Sequence, residues 1–268
     1  MKIIRFKDAD NNIFTGKLLT NTTAELLNGS IEQGFLPTGI TKKIETLLAP
    51  VVPPNIFAIG FNYLDHITET ESLKPAYPVL FMKATSSITS HNSFIVLPKC
   101  ETRGPETDFE GELAVIIGKN IKQADTKTAL NGVFGYTCAN DVSARRWQKH
   151  GGGGQWIRAK SFDTFCPLGP HIVTADEIDN PQKLSIKTTL NGELMQNSNT
   201  DKMIFSIAQI ISYISQDTTL LPGTVILTGT PDGVGFTRNP RLFLKANDIV
   251  KISIEKIGSL SNRVLPAK

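Results

Sequence analysis

The chain has 268 residues, 40% of them apolar and 20% charged, with 28 basic against 25 acidic side chains and only three, widely spaced, cysteines. That length suits one large domain or one domain with a small appendage. The composition excludes a disulfide scaffold and a Cys-rich zinc site, and the absence of any basic block or aromatic–basic stripe argues against a nucleic-acid partner.

Residues 1–50 alternate short apolar pieces with turn residues, as in "KIIRF" and "FTGKLL", which predicts a small β-rich N-terminal domain. The Pro-rich joint "APVVPPN" at 49–55 marks its boundary with a second domain, residues 51–268. The N-terminus turns polar within a few residues, unlike a secretory signal, and no apolar run approaches the ~20 residues that span a bilayer. The expectation is therefore a cytoplasmic protein with no membrane partner. Strand-like runs follow at 56–60, 113–118, 133–139, 184–192, 224–229 and 249–255. The clearest helix is predicted over 200–215. There Met203, Ile207, Ile210, Ile211 and Ile214 share one stripe, and Thr200 or Asp201 can cap the start. Strands outnumber helices without alternating with them, so the expected class is α+β and sheet-dominated.

Chemistry concentrates in a few stretches. In "TDFEGELAVIIGK", residues 107–119, Glu110 and Glu112 lie two apart at the mouth of an apolar strand and so project to one face. The plain alternative is a solvated strand end. Adjacent like charges repel, however, and a hard cation such as Mg²⁺, Mn²⁺ or Ca²⁺ would let them coexist with a third carboxylate. "CANDVSARRWQ" offers Asp141, which can cap a helix whose one face would carry Asp141, Arg145 and Gln148. Such a face suits a metal and an anionic substrate, although a plain cap beside an exposed arginine has the same spacing. In "GFNYLDHITE", Asn62 and Asp65 resemble a capping box. His66 and Glu69 then fall at i, i+3, the arrangement of an imidazole oriented by a carboxylate, or of an ordinary surface pair. Lys160 sits in an aromatic stretch after four glycines that lack the GK[ST] of a phosphate loop. "LTGTPDGVGF" is a strand ending in a tight turn whose threonine hydroxyls and amides can hold an anion.

Taken together, "FAIGFNYLDH", "TDFEGELAVIIGK", "GYTCANDVSARRWQ", "AKSFDTFCPLGP", "NGELMQ" and "LTGTPDGVG" resemble, in order from about residue 53, the signatures of the fumarylacetoacetate hydrolase superfamily. "KSFDTFCPLGP" and "NPRLFLKANDIV" look most like its domain-containing protein 2 branch. The resemblance implies a mixed β roll, a homodimer, and one Mg²⁺ or Mn²⁺ held by Glu110, Glu112 and Asp141. It implies His66 and Glu69 as a catalytic dyad on a lid segment and Lys160 as the active-site lysine. Arg145, Gln148 and Thr230 match substrate contacts. Three departures stand out: Ala84 where the family usually has proline, Phe61 at a position often Arg or Leu, and Arg146 where many relatives have aspartate.

Family members act on 2-oxo acids through an enolate. The resemblance favours oxaloacetate keto–enol tautomerisation, with acylpyruvate C–C hydrolysis as the alternative and decarboxylation a third outcome of the same enolate. A specialised biosynthetic isomerase and a catalytically silent metal-binding protein complete the range.

Overall fold

A computed structural model describes residues 1–267. Strand is the dominant regular structure, in one large mixed sheet, one smaller sheet packed on it and a two-stranded pair. The large sheet runs, neighbour to neighbour, through Gly34–Lys43, Thr23–Ser30, Ile13–Thr20, Lys2–Lys7, Cys166–Thr174, Val133–Asn140, Gly111–Ile117, Val225–Leu227, Ile56–Gly60 and Val79–Lys83. Thr46–Leu48 and Ile88–Ser90 pair off that path. The second sheet orders Glu193–Asn199, Ser185–Leu190, Ile249–Ile254, Gly258–Leu265 and Phe94–Val96. Most pairings are antiparallel, but Val225–Leu227 with Ile56–Gly60 is parallel, which makes the sheet mixed.

The central strand, Gly111–Ile117, is buried along its whole length. Its apolar run is continuous because both of its faces are covered. Leu113, Val115 and Ile117 pack into the core with Ile186, Ile252 and Ile254 of the smaller sheet and with helix residues Ile210 and Ile214. Ala114 and Ile116 face the opposite cluster, with Ile3, Leu168 and Val225. The pleat thus sends alternate residues into two cores. The N-terminal strands join the large sheet directly, because Lys2 and Ile3 pair with Val173 and Ile172.

Two local expectations are corrected. The helix predicted over 200–215 is shorter: an α-helix spans Ile207–Ile214, and Ser206 and Gln209 form its capping box. Thr200–Lys202 is a separate 3-10 turn capped by Asn199. Between them the backbone is spent on Asn62, whose side chain accepts from the Phe205 N–H and donates to the Phe205 carbonyl. For the same reason Asn62 caps nothing locally, and the helix Leu64–Glu69 starts without a side-chain cap. Among the strands that the sequence did not signal, Cys166–Thr174 contains Pro167, Gly169 and Pro170, residues that punctuate loops.

His171, in that strand, is buried and lies 2.7 Å through Nε2 from the Ile257 carbonyl. Burial outweighs this bond and holds its pKa down at about 4, from an ordinary 6.5. Between those values the unfolded chain binds a proton that the folded chain refuses, so stability falls as pH drops from 6.5 toward 4. A melting-temperature series across this window should show the fall, and His171→Gln should flatten it.

Candidate active site

Glu110 precedes the central strand and Glu112 lies within it; Asp141 follows the neighbouring strand Val133–Asn140. The pairing of Gly111 with Asn140, and the Asp141 N–H donated to the Glu110 carbonyl at 2.9 Å, bring all three to one strand-end corner. One ligand oxygen from each carboxylate lies within 4.8 Å of the others, and all three residues are buried. Asp141 caps no helix. The chain continues into the short strand Ser143–Ala144, which pairs with Thr107–Asp108, so Asp141 and Arg145 do not share a helical face.

Three cations serve this corner unequally. Lys160 Nζ lies 2.7 Å from both Glu110 Oε2 and Asp141 Oδ2. Lys83, fully buried, donates to Asp141 Oδ1 at 2.5 Å and to the Val142 carbonyl at 3.3 Å. Arg145 Nη1 reaches Glu110 Oε1 at 2.6 Å, and Nε reaches Asp108 Oδ2 at 2.9 Å. Glu112 pairs with no cationic side chain among the described residues; its carboxylate accepts the Gly229 N–H at 2.6 Å. Gly229 has φ +96°, and a Cβ there would press on the Asn62 Cβ at 2.7 Å, so glycine is what lets the turn aim this N–H at Glu112.

The pKa directions follow. Burial opposes ionisation of Glu110, but the Lys160 and Arg145 charges outweigh it and hold the carboxyl down at about 2. Glu112 is pushed well above the usual range by burial and then by the Asp141 and Glu110 charges. Three buried carboxylates with oxygen-only donors, one of them lacking a cationic partner, fit a hard divalent cation.

His66 of the dyad lines one cavity with Glu110, Glu112 and Lys160, and Glu69 stands behind it. His66 Nδ1 lies 3.2 Å from Glu69 Oε2. Glu69 Oε1 accepts from the Gly233 N–H at 2.9 Å and from the Thr237 hydroxyl at 2.6 Å. Burial works against the Glu69 charge, but His66, then Thr237 and the Gly233 N–H, prevail and lower its pKa. The carboxylate therefore ties the short helix Leu64–Glu69 to the 233–237 loop, and it orients the imidazole with Nε2 left free. A cavity of about 760 Å³ is lined by His66, Glu110, Glu112 and Lys160 together with Arg145, Gln148 and Thr230. Among the predicted substrate contacts, Arg145 has much of its charge committed to Asp108 and Glu110. Thr230 donates its hydroxyl to the Gly111 carbonyl at 3.0 Å and accepts from Gln196 at 2.8 Å. Gln148 accepts from Arg145 at 3.1 Å and keeps its amide N–H groups for the cavity. The cavity also reaches Arg103, Arg146, Lys149 and Arg241, none of which pairs with a carboxylate among the described residues. Arg146, a departure from the resemblance, is held there by donating to the Arg103 carbonyl.

Sequence reasoning missed Lys83, the last residue of the strand Val79–Lys83. Its neighbour Ala84 explains a second departure: the Ala84 N–H donates to Ser161 Oγ at 2.8 Å, a bond that proline lacks the hydrogen to make. That bond joins the Lys83 strand to the Lys160 segment.

A β-dominated fold with a buried carboxylate corner, an adjoining lysine and a His–Glu dyad defines a family, and the comparisons name it. The fumarylacetoacetate hydrolase C-terminal family model matches residues 55–265, and the chain belongs to that family of enzymes. A mitochondrial oxaloacetate tautomerase of Xenopus laevis is 47% identical over 221 residues, covering 82% of this chain and 68% of that protein. A fumarylacetoacetate hydrolase domain-containing protein 2 homolog of Dictyostelium discoideum is 45% identical, covering 81% and 73%. Among solved structures, a fumarylacetoacetate hydrolase from Exiguobacterium antarcticum superposes with a TM-score of 0.86 at 36% identity, over all of both chains. A 2-hydroxyhepta-2,4-diene-1,7-dioate isomerase from Mycobacterium marinum gives 0.85 at 36%, over 99% and 98%. The sheet-dominated α+β fold of that family is the fold of this chain. No helix among the described residues is long and apolar enough to cross a membrane.

Proposed function

We propose that the chain interconverts the enol and keto forms of oxaloacetate. The observation that carries this reading is the His66 imidazole, fixed by Glu69 and turned to the cavity lined by Glu110, Glu112 and Lys160, with Asp141 buried beside the two glutamates. The names of the 45–47% identical relatives support the substrate. Glu110, Glu112 and Asp141 would hold one divalent cation, Mg²⁺ with Mn²⁺ or Ca²⁺ as alternatives. When bound, such an ion supplies Lewis acidity toward the 1-carboxylate and 2-oxo group of the substrate.

The chain's own groups do the rest. Lys160, whose ammonium is kept charged because Asp141 and Glu110 outweigh its burial, stabilises negative charge developing on the enolate. Gln148 and the partly committed Arg145 orient the carboxylates, and Thr230, whose hydroxyl is spent on Gly111 and Gln196, has its backbone N–H to offer them. The unpaired cations lining the cavity give it a positive field that attracts a dianion. His66 Nε2 takes the enol hydroxyl proton and returns it to C3. A single base thus completes the shift with no net proton and no water. The homodimer that the family resemblance implies forms part of this reading.

The alternative, C–C hydrolysis of an acylpyruvate, uses the same imidazole to activate water. The fumarylacetoacetate hydrolase among the structural neighbours favours keeping it in view. The deciding experiment follows enol-oxaloacetate and acetylpyruvate by ultraviolet absorbance, with Mg²⁺ and with chelator. Metal-dependent loss of the enol with total oxaloacetate conserved is the expected result. Release of pyruvate and acetate from acetylpyruvate, without enol loss from oxaloacetate, would replace this reading with the hydrolase.

A further inference from the structure

One wall of the cavity is built from aromatic rings that run from the dyad to the lysine. Phe61 lies 6.3 Å from the His66 ring at an interplanar angle of 25°. It meets Trp156 edge-on at 5.4 Å, and Trp156 meets Phe81 edge-on at 5.2 Å. Lys160 Nζ then sits 5.2 Å from the Phe81 centroid. All five residues line the cavity. The wall is built into the backbone: a Cβ on Gly60 would lie 2.9 Å from Trp156 Cη2, so only glycine at the end of that strand lets the indole seat there.

Phe61 itself has φ +53°, the left-handed region in which a Cβ crowds the following carbonyl oxygen. Glycine would adopt this backbone without strain. The phenyl ring is therefore what the strained position secures, and such outliers cluster where a site needs a group held in one place.

The two candidate reactions differ in one reactant. In tautomerisation a proton leaves the enol oxygen and returns at C3, and nothing is added. In hydrolysis a water oxygen bonds to the C4 carbonyl and the C3–C4 pair passes to C3. C3 then takes one of the water's protons by way of His66, and the acid formed at C4 departs as a carboxylate, its own proton passing to solvent. We propose that Phe61 is a specificity-determining residue, closing the gap between His66 and Trp156 so that water does not reach C4 and the enol proton returns to C3 with the C3–C4 bond intact. This rests on the reading of the site as acting on 2-oxo acids through an enolate.

The test uses Phe61→Gly, which fits the positive φ and so keeps the fold, and Phe61→Leu, which narrows the cover while staying apolar. Both are assayed with Mg²⁺ on enol-oxaloacetate and on acetylpyruvate. The ratio of hydrolysis to tautomerisation is expected to rise about tenfold or more in Phe61→Gly and by less in Phe61→Leu. In a Trp147→Phe background Trp156 is the remaining indole, since the chain has two tryptophans. Acrylamide quenching of its emission should rise several-fold in Phe61→Gly, with or without metal. Tautomerisation by the parent with an unchanged ratio in Phe61→Gly overturns the inference and leaves the tautomerase reading intact. Unchanged quenching also overturns it, because the ring then covers nothing. No tautomerisation by the parent, with hydrolysis appearing in Phe61→Gly, overturns the tautomerase reading and supports the inference. Silence of both proteins on both substrates sinks both.

Discussion

Glu112→Gln is expected to abolish divalent-cation binding and, in the chelated protein, to raise the melting temperature. The two effects have opposite signs because Glu112 has a different environment from its neighbours. It is 1% exposed, faces the Asp141 and Glu110 charges, and pairs with no cationic side chain among the described residues. Without an ion its carboxyl either carries an uncompensated buried charge or takes up a proton that the unfolded chain would not hold, and the amide avoids both costs while keeping an oxygen for the Gly229 N–H. The gain should be a few degrees for a chain of this size. Asp141→Asn should do the reverse to stability, since Asp141 holds both Lys83 and Lys160. Neutralising it leaves two buried ammonium groups short of charge, a change that commonly costs about 3–5 kcal/mol. Manganese titration by calorimetry and thermal scans in chelator check both variants. A lower melting temperature for chelated Glu112→Gln would show that the corner is balanced without a metal.

His66→Ala should leave manganese affinity unchanged and lower kcat on the preferred 2-oxo acid by about 10²- to 10⁴-fold, the usual worth of a positioned general base. The imidazole makes no ion pair with the carboxylate corner; its partner is Glu69 on its own helix. Glu69→Gln should lose less of kcat than this, because the amide still reaches Nδ1 but stabilises a charged imidazole poorly. It should also loosen the helix from the Gly233 N–H and the Thr237 hydroxyl. Rates at saturating Mg²⁺ for the three proteins decide the matter. A kcat for His66→Ala close to the parent's would remove the dyad from the mechanism.

Much of this corner was legible in the sequence because it breaks a local rule. Carboxylates at the mouth of an apolar run cost free energy, and such violations mark function. The strand after them was equally legible, since five apolar residues between turn signals are too few for a buried helix and suit a strand covered on both faces. What stayed hidden depends on distant partners. Lys83 gains its role from Asp141, 58 residues on, and Asn62 shapes residues 204 and 205 from 143 residues away. Asp141 has the spacing of a helix cap, yet its backbone is claimed by Glu110 and by the pairing of Ser143 with Asp108. Local spacing carries no record of such claims.

The union of Lys2 and Ile3 with Val173 and Ile172 has a consequence for the order in which the molecule is made. The first strands leave the ribosome with a hydrogen-bonding edge whose partner has not been synthesised. At about 5–20 residues per second, the strand Cys166–Thr174 follows roughly ten to thirty seconds later. Until then the meander can form hairpins but cannot complete its sheet. The same late strand begins just after Lys160, so the nascent chain completes its N-terminal sheet and receives the lysine of the carboxylate corner at nearly the same moment.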